Sequence, residues 1–360
     1  MSARKRLLVI ALFPGFMGTS AAIAQSPEKR DQSTDASGRR LVTQPTQQAI
    51  TQGLAWLASR QHEDGSFWSG QNYRKEVAVT ALAGMAFIAD GHLPNKGRYG
   101  REVSKAVEFL LSCVQPNGLI VERESASSGP MYGHGFSTLF LAEVYGTTTD
   151  DRIRKSLVSA VNLIVASQNE EGGWRYHPDS AEADISVTVS QVMALRAARN
   201  CGIAVPKQTI DRAVDYVKRC QNADGGFMYQ LTRRGESGFP RSAAGVVALQ
   251  SAGIYDGREV EKGLAYLTRH TPRPGVFRYQ SYYFYGHYYG TQAMWQAGGD
   301  MWERWYPAIR DELLSGQKNM MAGQKPLAFW ADATVCDEYG TAMALLVLQM
   351  PNNYLPIFQR

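Results

Sequence analysis

The sequence predicts an all-α fold, an α/α toroid of six helix hairpins with one helical ring inside another. Three observations predict it. A turn pattern recurs as RQHEDGSFW at 60–68, QNEEGGW at 168–174 and QNADGGF at 221–227. The turn aromatic or its apolar substitute falls at Phe67, Leu119, Trp174, Phe227, Phe277 and Trp330, at intervals of 52, 55, 53, 50 and 53 residues. Amphipathic and almost wholly apolar helical segments alternate along the chain. A period near fifty residues suits a helix pair, and repeats override the usual expectation of two or three domains for a chain of 360 residues.

Each unit opens with an amphipathic helix: GLAWLASRQ at 53–61, AVEFLLSCVQ at 106–115, AVNLIVASQ at 160–168, AVDYVKRCQ at 213–221 and GLAYLTRH at 263–270. Apolar residues return every three or four positions, which makes one buried face. The Gly that follows permits the positive φ that ends a helix. The next aromatic can fill the groove between units, and the Gln amide can tie the turn to the adjacent helix. The second helix of each unit, predicted at 76–90, 134–145, 184–200, 241–252, 287–297 and 337–349, is rich in Ala, Gly, Ser, Thr and Val. Low polarity around the whole circumference predicts a surrounded helix. Closure into a ring leaves no unit uncapped, and an open solenoid is the alternative. The segment 301–324, with MWERWYPAIRDELL, supplies the sixth outer helix and a longer loop placed to cover one mouth.

The N-terminus reads as a secretory signal over residues 1–24: Arg4, Lys5 and Arg6, then an apolar run, then Ala22-Ile23-Ala24 before Gln25. The apolar run is shorter than a membrane span and is broken by Pro14 and Gly15. No membrane span is expected after cleavage, and the expected location is the periplasm. Removing residues 1–24 takes three basic and no acidic residues from a net charge of +5, leaving +2. That residue of charge gives no reason to expect nucleic acid as a partner. Residues 25–45 read as a polar linker, 46–350 as the toroid and 351–360 as a C-terminal tail. Cys113, Cys201, Cys220 and Cys336 show no metal-type spacing and are expected as buried thiols, with a disulfide left open by the even count.

QNEEGGW at 168–174 and QNADGGF at 221–227 resemble the QW repeats of squalene and hopene cyclases, and the corresponding repeats of protein prenyltransferase β subunits. The resemblance covers roughly residues 46–350 and implies the toroid. It does not fix the chemistry, because one fold serves several activities. Cyclases of this kind open an inner helix with a DxDD-T segment whose middle acid protonates an alkene. Aligning Met193-Ala194-Leu195-Arg196 without gaps lays Asp184-Ile185-Ser186-Val187-Thr188 on that segment. In that frame the first Asp and the Thr match, and Ser186 stands where the resemblance implies the acid; a frame shifted by two lays Glu182 and Asp184 on the first two acids but loses the helix match. The prenyltransferase zinc site has only Cys336-Asp337 as an echo, without the expected spacing or a downstream His, so neither metal nor cofactor is expected. No cysteine sits in a thioester sequence.

The starts of the inner helices should converge on one mouth. Counting one turn back from Thr80, Thr138, Ser190, Thr291 and Thr341 gives Glu76, His134, Ser186, His287 and Asp337, with Asp184 beside them and Arg241 opening the fourth inner helix. Asp184, His134 and His287 are the candidate acid and base residues. Glu76, Ser186, Arg241, Tyr285, Tyr288 and Asp337 are the candidate ligand-binding residues. Helix capping alone accounts equally well for the acidic members. The aromatic run YQSYYFYGHYY at 279–289 could line a cavity or pack between repeats. The expected function is a cavity for a hydrophobic or isoprenoid-like ligand. Two alternatives stay open: a carbohydrate-active α/α barrel working through a His, Tyr and carboxylate mouth, and a non-catalytic envelope scaffold. Oligomeric state is open.

Overall fold

The computed structural model describes residues 39–70, 73–125, 129–273 and 282–359. The signal and most of the linker (1–38), Phe277 and residues 279–281 of the tyrosine run lie outside the described residues. Among the described residues twelve α-helices alternate between two rings. The outer helices are α1 (Gln44–Ser59), α3 (Gly100–Ser112), α5 (Asp151–Ala166), α7 (Lys207–Arg219), α9 (Arg258–Thr268) and α11 (Gly299–Gly316). The inner helices are α2 (Val77–Ile88), α4 (Pro130–Tyr145), α6 (Ile185–Asn200), α8 (Phe239–Ser251), α10 (Tyr283–Ala297) and α12 (Asp337–Leu348). Each inner helix packs on the next, and α12 packs on α2, so the ring closes instead of ending as a crescent.

The burial pattern follows the sequence pattern. Helix α5 buries Ile153, Leu157, Ala160, Val161 and Ile164, a single stripe at helical spacing. Helix α2 buries every residue but Ala78. Small residues let the inner helices approach: a Cβ on Gly84 would stand 2.5 Å from the Phe140 ring, and one on Gly286 2.8 Å from Phe239.

The recurrent Gln works as a clamp. Gln61, Gln168 and Gln221 each donate from Nε2 to the carbonyl of the turn glycine, at 3.1, 2.8 and 3.0 Å. The same nitrogen donates to a carbonyl in the first turn of the next outer helix: Glu102 at 2.9 Å, Thr209 at 2.9 Å and Glu259 at 2.8 Å. Gln115 departs from the rule and bonds Cys113 and Val121 within its own turn. The turn glycines Gly65, Gly118, Gly172 and Gly225 have φ of 89° to 96°, and a Cβ on each would lie 2.2 to 2.5 Å from a backbone oxygen of the next outer helix. The aromatic two residues on is fully buried at Phe67, Trp174 and Phe227. In the second unit that place belongs to Ile120, not Leu119, because Gly118 follows Gln115 one residue sooner than elsewhere.

Each turn is also tied to the inner helix after it. The amides of Phe67, Trp174, Phe227 and Trp330 donate to the hydroxyls of Thr80, Thr188, Ser242 and Thr341, at 2.8 to 3.1 Å. The Ile120 amide donates to Nδ1 of His134 at 3.1 Å. His134 and Thr188 are therefore the repeat equivalents of Thr80. The sequence register through Thr138 and Ser190 is corrected, since those hydroxyls bond back to His134 and Val187 on their own helices.

The loop after α11 is an antiparallel hairpin, β1 (Lys318–Ala322) and β2 (Lys325–Phe329). It lies on α1 in the outer ring, with Phe329 stacked on Trp56 at 5.0 Å, and so joins the last unit to the first. At the opposite end of the ring from the inner-helix N-termini, the C-terminal segment turns inward through Met350–Asn352 and Pro356–Phe358 and buries Leu355, Ile357 and Phe358. No helix is long and apolar enough to cross a membrane among the described residues.

Replacing Gly172 by Ala imposes both a left-handed backbone and a clash with the Arg212 carbonyl. Gly253, at φ +92° with no atom within 4 Å of the place its Cβ would take, isolates the backbone cost alone. We expect G253A to lose about 1 kcal/mol and G172A about 3 kcal/mol in urea unfolding.

Candidate functional site

The inner-helix N-termini all meet at one mouth, because every hairpin runs the same way round the ring. There the structure encloses a cavity of about 1010 Å³ to which all six inner helices contribute. Its depth is apolar: Val79 and Leu82 of α2, Phe136 of α4 and Met343 of α12. Its waist is a belt of tyrosines, Tyr132, Tyr176, Tyr229, Tyr285 and Tyr339, with Tyr73 and Tyr282 also on the wall. Glu76 and Arg241 supply charge. Phenol rings give broad apolar contact with a polar edge, so the wall suits a largely apolar guest carrying a few polar atoms.

Ser186, Glu76, Arg241 and Tyr285 line this cavity. Ser186 is at its centre: Tyr285 donates to the Ser186 carbonyl at 3.4 Å, and the hydroxyls of Tyr132 and Tyr285 both interact with its side chain. Burial pushes both phenols well above their ordinary range, so they stay neutral hydrogen-bonding groups. Arg241 is held by the carbonyls of Phe227 at 3.2 Å and Glu236 at 2.6 Å, with its other edge left to the cavity wall. Glu76, the residue before α2, accepts from Ser125 at 3.3 Å.

Asp184 lies one layer behind Ser186, fully buried. Its Oδ1 caps α6 by accepting from the amides of Ser186 and Val187, both at 2.9 Å. Burial raises its carboxyl to about 6, against the pull of those two amides, Arg175 and Tyr229. Asp184 Oδ2 is buried without a hydrogen-bond partner among the described residues, and the nearby Tyr229 hydroxyl shares a 2.6 Å hydrogen bond with that of Tyr176. The linked hydroxyls of Tyr229 and Tyr176 lie on the cavity wall near Asp184.

The expectation that His134 and His287 face the mouth is corrected. His134 accepts from the Ile120 amide through Nδ1 and lies 3.2 Å from the Ala160 carbonyl through Nε2, which joins its turn to α5. His287 is packed among Tyr283 at 4.4 Å, Phe239 at 4.8 Å and Trp305 at 6.0 Å. Burial drives the two imidazoles down to about 4 and about 3, so both are neutral. Tyr288 is buried below the cavity, between Phe136 at 6.5 Å and Phe358 at 6.4 Å. Asp337 accepts from the Asp332 amide at 3.2 Å beside the rim, while its neighbour Glu338 is buried against Arg60 and Ser69. Among the described residues no cluster of three His, Cys, Asp or Glu side chains could hold a metal ion.

Sequence reasoning missed Tyr132, Tyr176, Tyr229 and Tyr339. A signal existed for two of them. Tyr176 and Tyr229 each stand two residues after the turn aromatic, in WRY and FMY, a recurrence that only the repeat register exposes.

Comparison with known proteins agrees with this geometry. The sequence profile of the squalene-hopene cyclase C-terminal domain matches residues 143–297, and that of the prenyltransferase alpha-alpha toroid domain matches residues 37–130. The chain is therefore similar, over these two stretches, to the terpenoid cyclase and prenyltransferase toroids. A drimenyl diphosphate synthase of Streptomyces showdoensis is 26% identical over 190 residues, covering 52% of this chain and 34% of that protein. A second, from Streptantibioticus cattleyicolor, is 28% identical over 184 residues, covering 50% of this chain and 32% of its own. The aligned part of this chain therefore spans about a third of the length of these curated relatives. Among solved structures, an alpha-1,6-mannanase of Salegentibacter superposes with a TM-score of 0.64 at 8% identity, over 86% of this chain and 99% of that one. A type II terpene cyclase of Scytonema, solved with geranylgeranyl dihydroxybenzoate, gives 0.59 at 14% identity, over 86% and 98%. At such identities the superpositions speak for the fold alone.

His134 carries a pH signature. Its folded value lies below the ordinary 6.5, so the stability it supports is complete above about 6.5 and is lost as pH falls through about 4. In that window we expect a slope of up to about 1.4 kcal/mol per pH unit from each buried histidine. His134→Gln, which keeps an acceptor and a donor, should remove one of the two contributions in acid denaturation.

Proposed function

We propose that this protein holds a hydrophobic, isoprenoid-like ligand in the central cavity of its toroid. The observation that carries this reading is the lining: apolar side chains at depth beneath a belt of tyrosines, in a volume at the upper end of small-ligand sites. An aromatic wall accepts a branched hydrocarbon, and its electron-rich faces stabilise any positive charge that develops on one. The repeat similarity to terpenoid cyclases and the fold shared with a terpene cyclase support the same ligand class.

The polar atoms argue against alkene protonation of the cyclase kind. Ser186 stands in the cavity where the resemblance implies the acid, and a hydroxyl flanked by neutral phenols is too weak a proton donor for an alkene. Asp184 precedes it by two residues, but it is fully buried behind the wall and its Oδ1 is committed to capping α6. Its role in this reading is to orient Tyr229 and Tyr176, which would address the polar atom of the ligand. Arg241, turned to the wall, would meet an anionic or oxygen-bearing head.

A second reading, a glycan site, has one observation in its favour: a tyrosine wall with Glu76 and Arg241 also suits a sugar, and a mannanase shares the fold. Thermal unfolding separates the two. Saturating geranylgeraniol should raise the melting temperature by roughly 5 °C, and Leu82→Trp, which intrudes on the apolar end of the cavity, should reduce the shift. A shift with mannotriose and none with geranylgeraniol would establish the glycan reading instead.

We also read residues 1–24 as an export signal delivering the protein to the periplasm, on the basic, apolar and small-residue pattern described above. N-terminal sequencing of protein recovered from the periplasm should begin at Gln25, and a chain beginning at Met1 would sink this reading.

A further inference from the structure

The cavity opens at the N-terminal ends of the inner helices, and the far end of the ring is closed by the chain itself. The C-terminal segment is anchored there by three inner helices. The Ile357 amide donates to Glu143 of α4 at 3.1 Å, Arg196 of α6 donates to the Gln359 carbonyl, and Trp295 and Gln296 of α10 donate to the Phe358 carbonyl at 3.0 and 2.6 Å. Bonds of this kind fix a backbone, and what they fix is the place of one ring. Phe358, 2% exposed, lies against Tyr288, and Tyr288 lies against Phe136, which is part of the cavity wall. Three aromatic rings therefore run as a column from the cavity to the tail.

We propose that the C-terminal segment is a length stop: by holding Phe358 beneath Tyr288 it sets how far an apolar chain can run into the ring. This rests on the hydrophobic-ligand reading above and adds to it which lengths are accepted. The tail is suited to the role because its hold is mostly through backbone atoms. The carbonyls of Phe358 and Gln359 and the amide of Ile357 make the anchoring bonds, so the side chain at 358 can be changed while the anchor remains. A smaller residue there leaves empty space below Tyr288, into which that ring can drop, and the cavity deepens along the axis of the ring. Packed interiors resist such a shift only while the space is filled.

The test compares binding of farnesol, geranylgeraniol and the much longer solanesol, each by displacement of a dansylated farnesol from the full chain. The unaltered protein should favour farnesol and geranylgeraniol over solanesol. Phe358→Ala should narrow the preference against solanesol by roughly tenfold with farnesol little changed. Phe358→Leu, a milder change in case the first variant fails to fold, should shift it the same way by less. Circular dichroism confirms that each variant is folded. An unmoved length preference in a folded variant would overturn the length stop and leave the ligand reading standing. Failure of the unaltered protein to bind any of the three alcohols would overturn both.

Discussion

One side chain, the glutamine that follows the outer helix in three units, sets how neighbouring hairpins join. Its amide nitrogen has two hydrogens, and in three units they go to two different places: the turn that closes its own unit and the first turn of the next outer helix. A single planar group thereby fixes both the end of one hairpin and the placement of its neighbour. The glycine in the turn is the other half of the constraint, since any Cβ there would enter the backbone of the adjoining helix. Successive hairpins thus repeat one packing arrangement, and round the ring the last inner helix packs on the first.

The outer clamp leaves the inner ring free to vary, within limits. At the point where the turn amide needs an acceptor, four units use a hydroxyl and one uses an imidazole nitrogen. His134 is thus a substitute for threonine in a structural hydrogen bond, with burial keeping it neutral so that Nδ1 can accept. Where no such bond is required, the inner helices spend their small residues on mutual approach and their aromatic residues on the cavity. Asymmetry is concentrated in α10, whose tyrosines face three ways: Tyr285 to the cavity, Tyr288 to the column beneath it and Tyr283 to the packing around His287.

The two ends of the cavity differ in chemistry because the helices are polar objects. The mouth gathers six helix N-termini, which favour acidic residues, and Glu76, Asp184, Asp337 and Glu338 all stand there. The far end presents helix C-termini, and there a segment of chain is held by hydrogen bonds that Trp295 and Gln296 of α10 donate to its Phe358 carbonyl. Glu143, buried at that end and pushed up to about 8 by burial, accepts an amide of this segment.

The sequence by itself determined the repeat, its period, the two kinds of helix and the clamp, because these depend on local spacing and on what Gln, Gly and an aromatic can do in a turn. Ser186, Glu76 and Arg241 were legible as cavity residues because they stand near helix starts that had to converge, and Tyr285 because it falls in the aromatic run. What only the tertiary structure decided was which side of each inner helix meets the cavity. A helix buried all round carries no polarity contrast to orient it, so His134 and His287 looked like mouth residues and turned out to face the outer ring. Tyr132, Tyr176 and Tyr229 come together from separate units, and Phe358 reaches Tyr288 across seventy positions of sequence. Contacts of that range are set by closure of the ring, which no local pattern records.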